Sequence, residues 1–303
     1  MNFLHVGVGR VSETLRKGAI MSTQASGEHD PQGSFASADA SVLWRQGAAQ
    51  REQFLGPATE LMLDLANLRE GSRVLDVAAG TGEQSLLAVQ RLGTTGRLLA
   101  IDLAIHMLEE AAASAWAAGI EIVETRAMDA QHLELESASF DAVISRLGVM
   151  LVPDPSAVFE GVWRVLKPGG KFAVLVHGAM EHNPWAMVPM SIIRRVGRLP
   201  VPERSEPGRF ALGDRGLLTG CFTAAGFRHV AEHTVDATRR YASRAEAFHH
   251  LTETQMATRN LLAKLSDADR ARALREIELA LDEFVSHDGV ALPGEAVVGV
   301  GTK

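Results

Sequence analysis

From Val42 onward the apolar positions become periodic, and the period changes along the chain. Trp44 to Asn67 repeats at helical spacing, with Phe54, Leu55, Ala58, Leu61, Met62 and Leu65 on one broad face. Val74 to Ala78 is a short unbroken apolar run between Gly71 and Gly80, the pattern of a strand buried on both faces. Helix is then predicted over Glu83 to Leu92, strand over Leu98 to Ile101, helix over Met107 to Ala118, and strands over Glu121 to Thr125 and Phe140 to Ser145. Ala157 to Leu166 reads as helix, stopped by Lys167-Pro168-Gly169-Gly170, and Phe172 to Val176 as a fifth strand. Strands alternating with helices at this spacing predict an α/β fold with a doubly wound, mainly parallel sheet.

The rhythm breaks after Val176. Gly178 to Gly213 is rich in Pro, Met and Arg, with an amphipathic fragment at Ile192, Ile193 and Val196. Helix is predicted over Leu217 to Ala225 and strand over Phe227 to Val235. A long helical segment is then expected to about His287, with a capping-box start at Ser266 and Asp269 and an apolar face of Leu274, Ile277, Leu281 and Phe284. Glu295 to Val300 closes the chain as a strand. Residues of about 178–213 and 242–287 are expected to be additions that form a helical cap over the carboxyl edge of the sheet, within one domain spanning 42–303. Residues 1–41 are expected to be a flexible arm, because Ser22 to Ser41 is rich in Ser, Gly, Asp and Pro. No secretory signal is expected, and Met1 and Met21 both remain open as starts.

Composition narrows the class. The 303 residues are 46% hydrophobic and 22% charged, and the net charge is -7. That balance argues against a nucleic-acid partner, and the pairs Arg194-Arg195 and Arg239-Arg240 read as solvated surface. No apolar stretch is long enough for a membrane span. Cys221 is the only cysteine. It rules out an intrachain disulfide, reads as a buried structural thiol, and fits a cytoplasmic location.

The chemistry sits in Val74-Leu75-Asp76-Val77-Ala78-Ala79-Gly80-Thr81-Gly82, a strand running into a glycine turn and then a helix. Such a turn lets a ligand approach the backbone. Asp102 follows Gly82 by 20 residues at the end of the second strand, where an acid can accept hydrogen bonds from a ribose diol. The pair fits any adenosine-type cofactor. Two details favour S-adenosylmethionine (SAM) over NAD. Ser85 stands where the dinucleotide fingerprint wants a third glycine, and Asp76 places a carboxylate that would repel a pyrophosphate while suiting a cationic ligand.

With these residues in order, the chain resembles the class I SAM-dependent methyltransferases of the UbiE-like, type-11 branch over about residues 42–178. Val74 to Gly82 is similar to the first motif of that family. Ile101-Asp102-Leu103 with Met107-Leu108 is similar to its ribose and adenine element, and Met128-Asp129-Ala130 to the loop after strand three. Phe140 to Ser145 and Arg164 to Gly170 resemble its fourth strand and the turn before the fifth. Weaker echoes follow at Asn183-Pro184-Trp185 and Ala225-Gly226-Phe227. The family usually has Cys or Gly where Ala79 stands.

The resemblance implies a seven-stranded sheet, SAM as cofactor and a small-molecule acceptor. It implies that Ala78, Gly80 and Gly82 shape the cofactor loop and that Asp76 helps hold the amino group. Asp102 would take the ribose hydroxyls, Leu103 and Met107 would sandwich adenine, and Asp129, flanked by Met128 and Ala130, would reach the adenine amino group. Ser145 and Arg146 would face the transferred methyl. Core packing for Met107, a helix cap for Asp129 and a surface position for Arg146 stay open as alternatives. His177 and His182, just past strand five, are the catalytic candidates as general base, if the acceptor arrives protonated. No metal is expected. A homodimer is left open, as is a SAM-binding partner or regulatory protein without transferase activity.

Overall fold

The computed structural model describes residues 37–201 and 206–303. Most of the arm expected over 1–41 therefore lies outside the described residues. Its last residues are not arm: α1 (Ala38–Gln46) starts there, with the Ser37 hydroxyl accepting from the Ala40 amide at 3.2 Å. The single helix predicted from Trp44 is broken at Gly47, and α2 (Ala48–Leu65) follows. A Cβ at Gly47 would lie 2.9 Å from Arg51 Nη1, so the space a side chain needs is taken by a guanidinium.

The predicted alternation then appears. It runs β1 (Arg73–Val77), α3 (Glu83–Leu92), β2 (Arg97–Asp102), α4 (Ile105–Ala117), β3 (Val123–Ala127), β4 (Phe140–Arg146), α5 (Pro155–Val165) and β5 (Leu166–His177). After the cap helix α6 (Pro184–Gly197) come α7 (Leu217–Ala224) and β6 (Arg228–Asp236), and the chain ends in β10 (Glu295–Thr302). The seven-stranded sheet has the order β3-β2-β1-β4-β5-β10-β6. Only β10 runs antiparallel to its neighbours. Successive strands move outward from β1 to β3, then resume on the other side at β4. The loops after β1 and β4 therefore part at the switch point, where such sheets open a crevice.

The main core is built from the apolar runs that marked the strands, including Val74, Leu75, Ile101, Val143, Ile144, Val174 and Val176. Phe159, Phe172 and Phe222 meet edge to face, with centroids 4.8–5.5 Å apart.

The cap differs from expectation in one respect. The long helix predicted to His287 is divided into α8 (Arg244–His249), a π-helical turn at His250–Thr254, α9 (Met256–Ala263), α10 (Asp267–Ala280) and a 3-10 turn at Leu281–Phe284. Ser266 caps α10 as predicted, its hydroxyl accepting from the Asp269 amide at 3.2 Å, but Asp269 answers by accepting from that hydroxyl at 2.8 Å and not from the Ser266 amide. The polar residues beyond Phe284 make a hairpin. β8 (Val285–Ser286) turns back into β9 (Gly289–Leu292) at Gly289, where φ is +114°, and β7 (Arg239–Tyr241) completes a three-stranded sheet. The cap is thus helical with a small sheet added. Ile192, Ile193, Val196, Leu261, Leu262 and Ile277 join its helices, and Trp185, Tyr241, Leu251 and Leu292 form a second cluster. Among the described residues no helix is long and apolar enough to cross a membrane.

Candidate functional site

The loop after β1 takes left-handed backbone at Ala78 (φ 55°), Gly80 (57°) and Gly82 (81°). Gly82 has a second reason to be glycine. A Cβ there would stand 2.9 Å from Ala111 Cβ on α4. Asp102, the last residue of β2, fixes the loop: its Oδ2 accepts from the Gly80 amide and its Oδ1 from the Ala104 amide, both at 2.9 Å. Burial raises its pKa and these donors oppose the rise. Beside it Leu103 and Ile105 are exposed apolar side chains, Leu103 to 57%. Met107 is 2% exposed, so it packs in the interior and leaves Leu103 as the surface partner of the pair named from the sequence.

Asp129 sits in an Asx turn. It accepts from the Gln131 amide at 2.9 Å and lies 3.1 Å from His132 Nδ1. Burial alone would raise this carboxyl, but the hydrogen bonds prevail and hold it low. Met128 donates its amide to the Asp102 carbonyl at 3.0 Å, which joins this turn to the end of β2. Ala130 is half-buried against the core.

Beneath the loop lie two clusters. Asp76 is fully buried, accepting from Gln84 Nε2 at 3.1 Å and from the Ser85 hydroxyl. Burial pushes its carboxyl up to about 7. Asp76 thus clamps the first turn of α3 and presents no exposed surface. Ser85, where a third glycine would stand, supplies one of its hydrogen bonds. The second cluster centres on Glu83, the first residue of α3. It pairs with Arg51 of α2 and with Arg146, and accepts from the Thr81 hydroxyl at 3.0 Å. Burial would raise Glu83, but the two guanidiniums overrule it and hold it below the ordinary value. Arg51 also lies over the Trp44 ring at 3.9 Å. The Arg146 side chain, expected to face the methyl group, is thereby committed to Glu83 and buried. Ser145 donates to the Val77 carbonyl at 2.7 Å, tying β4 to β1 at the switch point.

A third group gathers past the ends of β5 and β6. His177 is buried between Trp185 and Phe210, with ring centroids 5.2 and 6.0 Å away, and its Nδ1 has no hydrogen-bond partner. Burial, then Arg239 and Arg209, hold it well below the usual histidine value, so the imidazole is neutral. Arg239 is 3% exposed and stacks between Phe54 of α2 (3.8 Å) and Trp185 (3.2 Å). Its Nε and Nη1 have no partner, and neither does the Tyr241 hydroxyl. Arg209 lies 4.9 Å from the Trp185 ring and bonds Gln255, which reaches His250. Asn183 locks this group to the sheet. Its amide donates to the Gly178 and Ala179 carbonyls, and its Oδ1 accepts from Trp185 Nε1 and the Glu295 amide.

His182 does not join His177. Its side chain is 62% exposed and pairs with Glu295 at 2.9 Å, which raises its pKa. The reading of Arg239-Arg240 as solvated surface is corrected for Arg239. In β7 successive side chains alternate, so Arg239 and Tyr241 point inward and Arg240 outward. Three residues are too few for that alternation to show in the sequence. Glu83 and Arg209 carried no sequence signal, since the partners that hold them are distant in sequence; Asn183 had one, as part of Asn183-Pro184-Trp185. Cys221 is half-buried, and burial raises its thiol.

The likeness to known proteins matches this geometry. A methyltransferase-domain family model fits residues 68–194, the segment from β1 to α6. An uncharacterized protein of Mycobacterium tuberculosis is 36% identical over 135 residues, which are 44% of this chain and 48% of that protein. The chain thus spans about half the length of the mycobacterial relatives it matches. Nocamycin O-methyltransferase of Saccharothrix syringae is 30% identical over 207 residues, 64% of this chain and 72% of the relative. Phosphoethanolamine N-methyltransferase 2 of Haemonchus contortus, solved in complex with SAM, shares the fold at 18% identity. Its TM-score is 0.56, over 91% of this chain and 60% of that one. The chain belongs to the class I SAM-dependent methyltransferases.

Proposed function

We propose that this protein transfers the methyl group of SAM to a small organic acceptor held between the sheet edge and the cap. The observation that carries the reading is the loop after β1, pinned through Gly80 to Asp102 with an exposed Leu103 beside it. The residues present fit SAM. Asp102 accepts from the Gly80, Ala104 and Leu103 amides, and the lone pairs that a carboxylate still has can accept from ribose hydroxyls. Leu103 offers an apolar face to adenine, and Asp129 is placed in the next loop to meet its amino group. Bound SAM supplies an electrophilic methyl on a sulfonium.

The chain's own contribution is placement and dryness. Aligning two reactants is worth on the order of 7–11 kcal/mol. The cap segments of about 178–213 and 242–287 serve as the cover that excludes water. Trp185 and Phe210 face the end of β5, and this aromatic lining suits an apolar or aromatic acceptor. The name of the nocamycin relative supports a small-molecule acceptor. His177, neutral and with a free ring nitrogen, is the group placed to take a proton from an acceptor that arrives protonated.

Calorimetry tests this directly. S-adenosylhomocysteine (SAH) and SAM should bind and NAD should not. Asp102→Ala should weaken SAH by about 1.5–3 kcal/mol with an unchanged circular-dichroism spectrum. NAD binding without SAM binding would sink the reading, and unchanged SAH affinity in Asp102→Ala would remove that residue from the site.

A further inference from the structure

Among the described residues, neither arginine of the group past β5 pairs with an acid, and the one carboxylate that acts on the group, Glu246, acts on Tyr241. Arg239 is buried, and two of its guanidinium nitrogens lack any acceptor. Among the described residues Arg209 bonds the neutral Gln255 and no acid. Burial lowers both guanidiniums, Arg209 to about 10, and no carboxylate counteracts this for either. Elsewhere in the chain buried charge is treated differently, as Glu83 between Arg51 and Arg146 shows. A buried cation without a counter-ion is unfavourable, and the aromatic faces of Phe54 and Trp185 offset only part of that. The two neutral groups beside it, His177 and Tyr241, also present polar atoms without partners.

The position matters as much as the charge. His177 ends β5, next to the loop that follows β4. Phe54 lies one turn along α2 from Arg51, which pairs with Glu83 under the cofactor loop. Arg51, Arg209 and Arg239 all act electrostatically on His250, so the three share one neighbourhood. The whole chain carries a net charge of -7, so this positive interior is local.

We infer that the cluster of Arg239, Arg209, Tyr241 and His177 is a recognition site for a carboxylate, or an equivalent planar oxyanion, on an aromatic methyl acceptor. The fork of a guanidinium matches a carboxylate, and the unpartnered Tyr241 hydroxyl is a further donor. Arg239 already covers the Phe54 and Trp185 rings, so the planar body lies against Phe210. The inference rests on the methyltransferase reading, because it assigns this space to the acceptor.

The test is titration of SAH-loaded and SAH-free protein with 2-naphthoate, its neutral carboxamide and inorganic phosphate. Wild type should bind the carboxylate at least about tenfold tighter than the amide. Arg239→Met and Arg209→Met should each cut that preference below about threefold and leave SAH affinity within about threefold. Arg239→Met should melt at or above the wild-type temperature, since it replaces an unpaired buried charge by an apolar chain of similar length. Arg209 is partly exposed, so its variant keeps the test valid if Arg239→Met does not fold. Equal binding of acid and amide, or a preference that survives both substitutions, overturns the inference. Phosphate bound more tightly than the carboxylate overturns the choice of ligand. Failure of SAH to bind, with the arginine-dependent preference intact, overturns the methyltransferase reading and leaves the anion site standing.

Discussion

Around the loop after β1, Asp76, Asp102, Asp129 and Glu83 all find their donors inside the protein. Past the ends of β5 and β6, a few residues away on the same sheet edge, His177, Arg239 and Tyr241 keep buried polar atoms with no partner at all. The first region resembles a finished interior: its geometry is set by folding, and a ligand finds it already formed. The second carries an unfavourable electrostatic cost, which the proposed carboxylate would remove. Under the proposed function, this division puts fixed geometry on the donor side and selectivity on the cap side.

The contrast breaks most sharply at Glu83. Removing its carboxylate leaves Arg51 and Arg146 facing each other without compensation, their side chains 10% and 3% exposed. Glu83→Ala should lose about 3–5 kcal/mol in urea unfolding. A loss below about 1 kcal/mol would mean that the first region does not depend on its internal pairing. Asp76 sharpens the same point. Its folded pKa, near 7, lies above the unfolded value of 3.8, so the folded state holds this proton more tightly. Its favourable contribution is therefore full below about pH 4 and is lost as pH rises toward 7. Asp76→Asn keeps the shape and removes the titration. Relative to wild type it should gain up to about 4 kcal/mol between pH 4 and pH 8. Parallel stability curves for the two proteins would show that burial does not raise this carboxyl.

Those residues also mark how far the sequence could be read. β1, β2, β4 and β5 were legible because parallel strands buried on both faces are continuous apolar runs. Gly80, Gly82 and Asp102 were legible because their spacing follows from one strand-turn-helix unit and its neighbour. The partners of Glu83 were not, since Arg51 and Arg146 stand 32 and 63 residues away and meet it only through packing. Met107 was read as an adenine contact with core packing as the alternative, and the helical face that buries it is set by how α4 docks. Arg239 was hidden for a different reason. Two adjacent arginines look like solvated surface, and only the pairing of β7 with β9 decides that one of them turns inward against Phe54 and Trp185. The small sheet escaped notice because its strands are two to four residues long, too short to show a period.

The smallest expected effect separates the two histidines first named together. Both follow β5 closely, yet His177 belongs to the unsatisfied group while His182 is exposed and already paired with Glu295. An exposed ion pair contributes little and is screened by salt. Its contribution is full below the ordinary histidine pKa of 6.5 and fades as pH rises through the raised folded pKa, so His182→Ala should alter the melting temperature slightly below pH 6.5 and progressively less above it. On the chemistry the two should diverge. His177→Gln should lower kcat for a protonated acceptor by roughly 100-fold, the lower range for a general base, with SAH affinity unchanged. His182→Ala should leave kcat and KM within about threefold. If His182→Ala instead lowers kcat as far as His177→Gln does, the exposed histidine takes part in proton transfer. The boundary between the two regions would then run along the Glu295 edge rather than at His177.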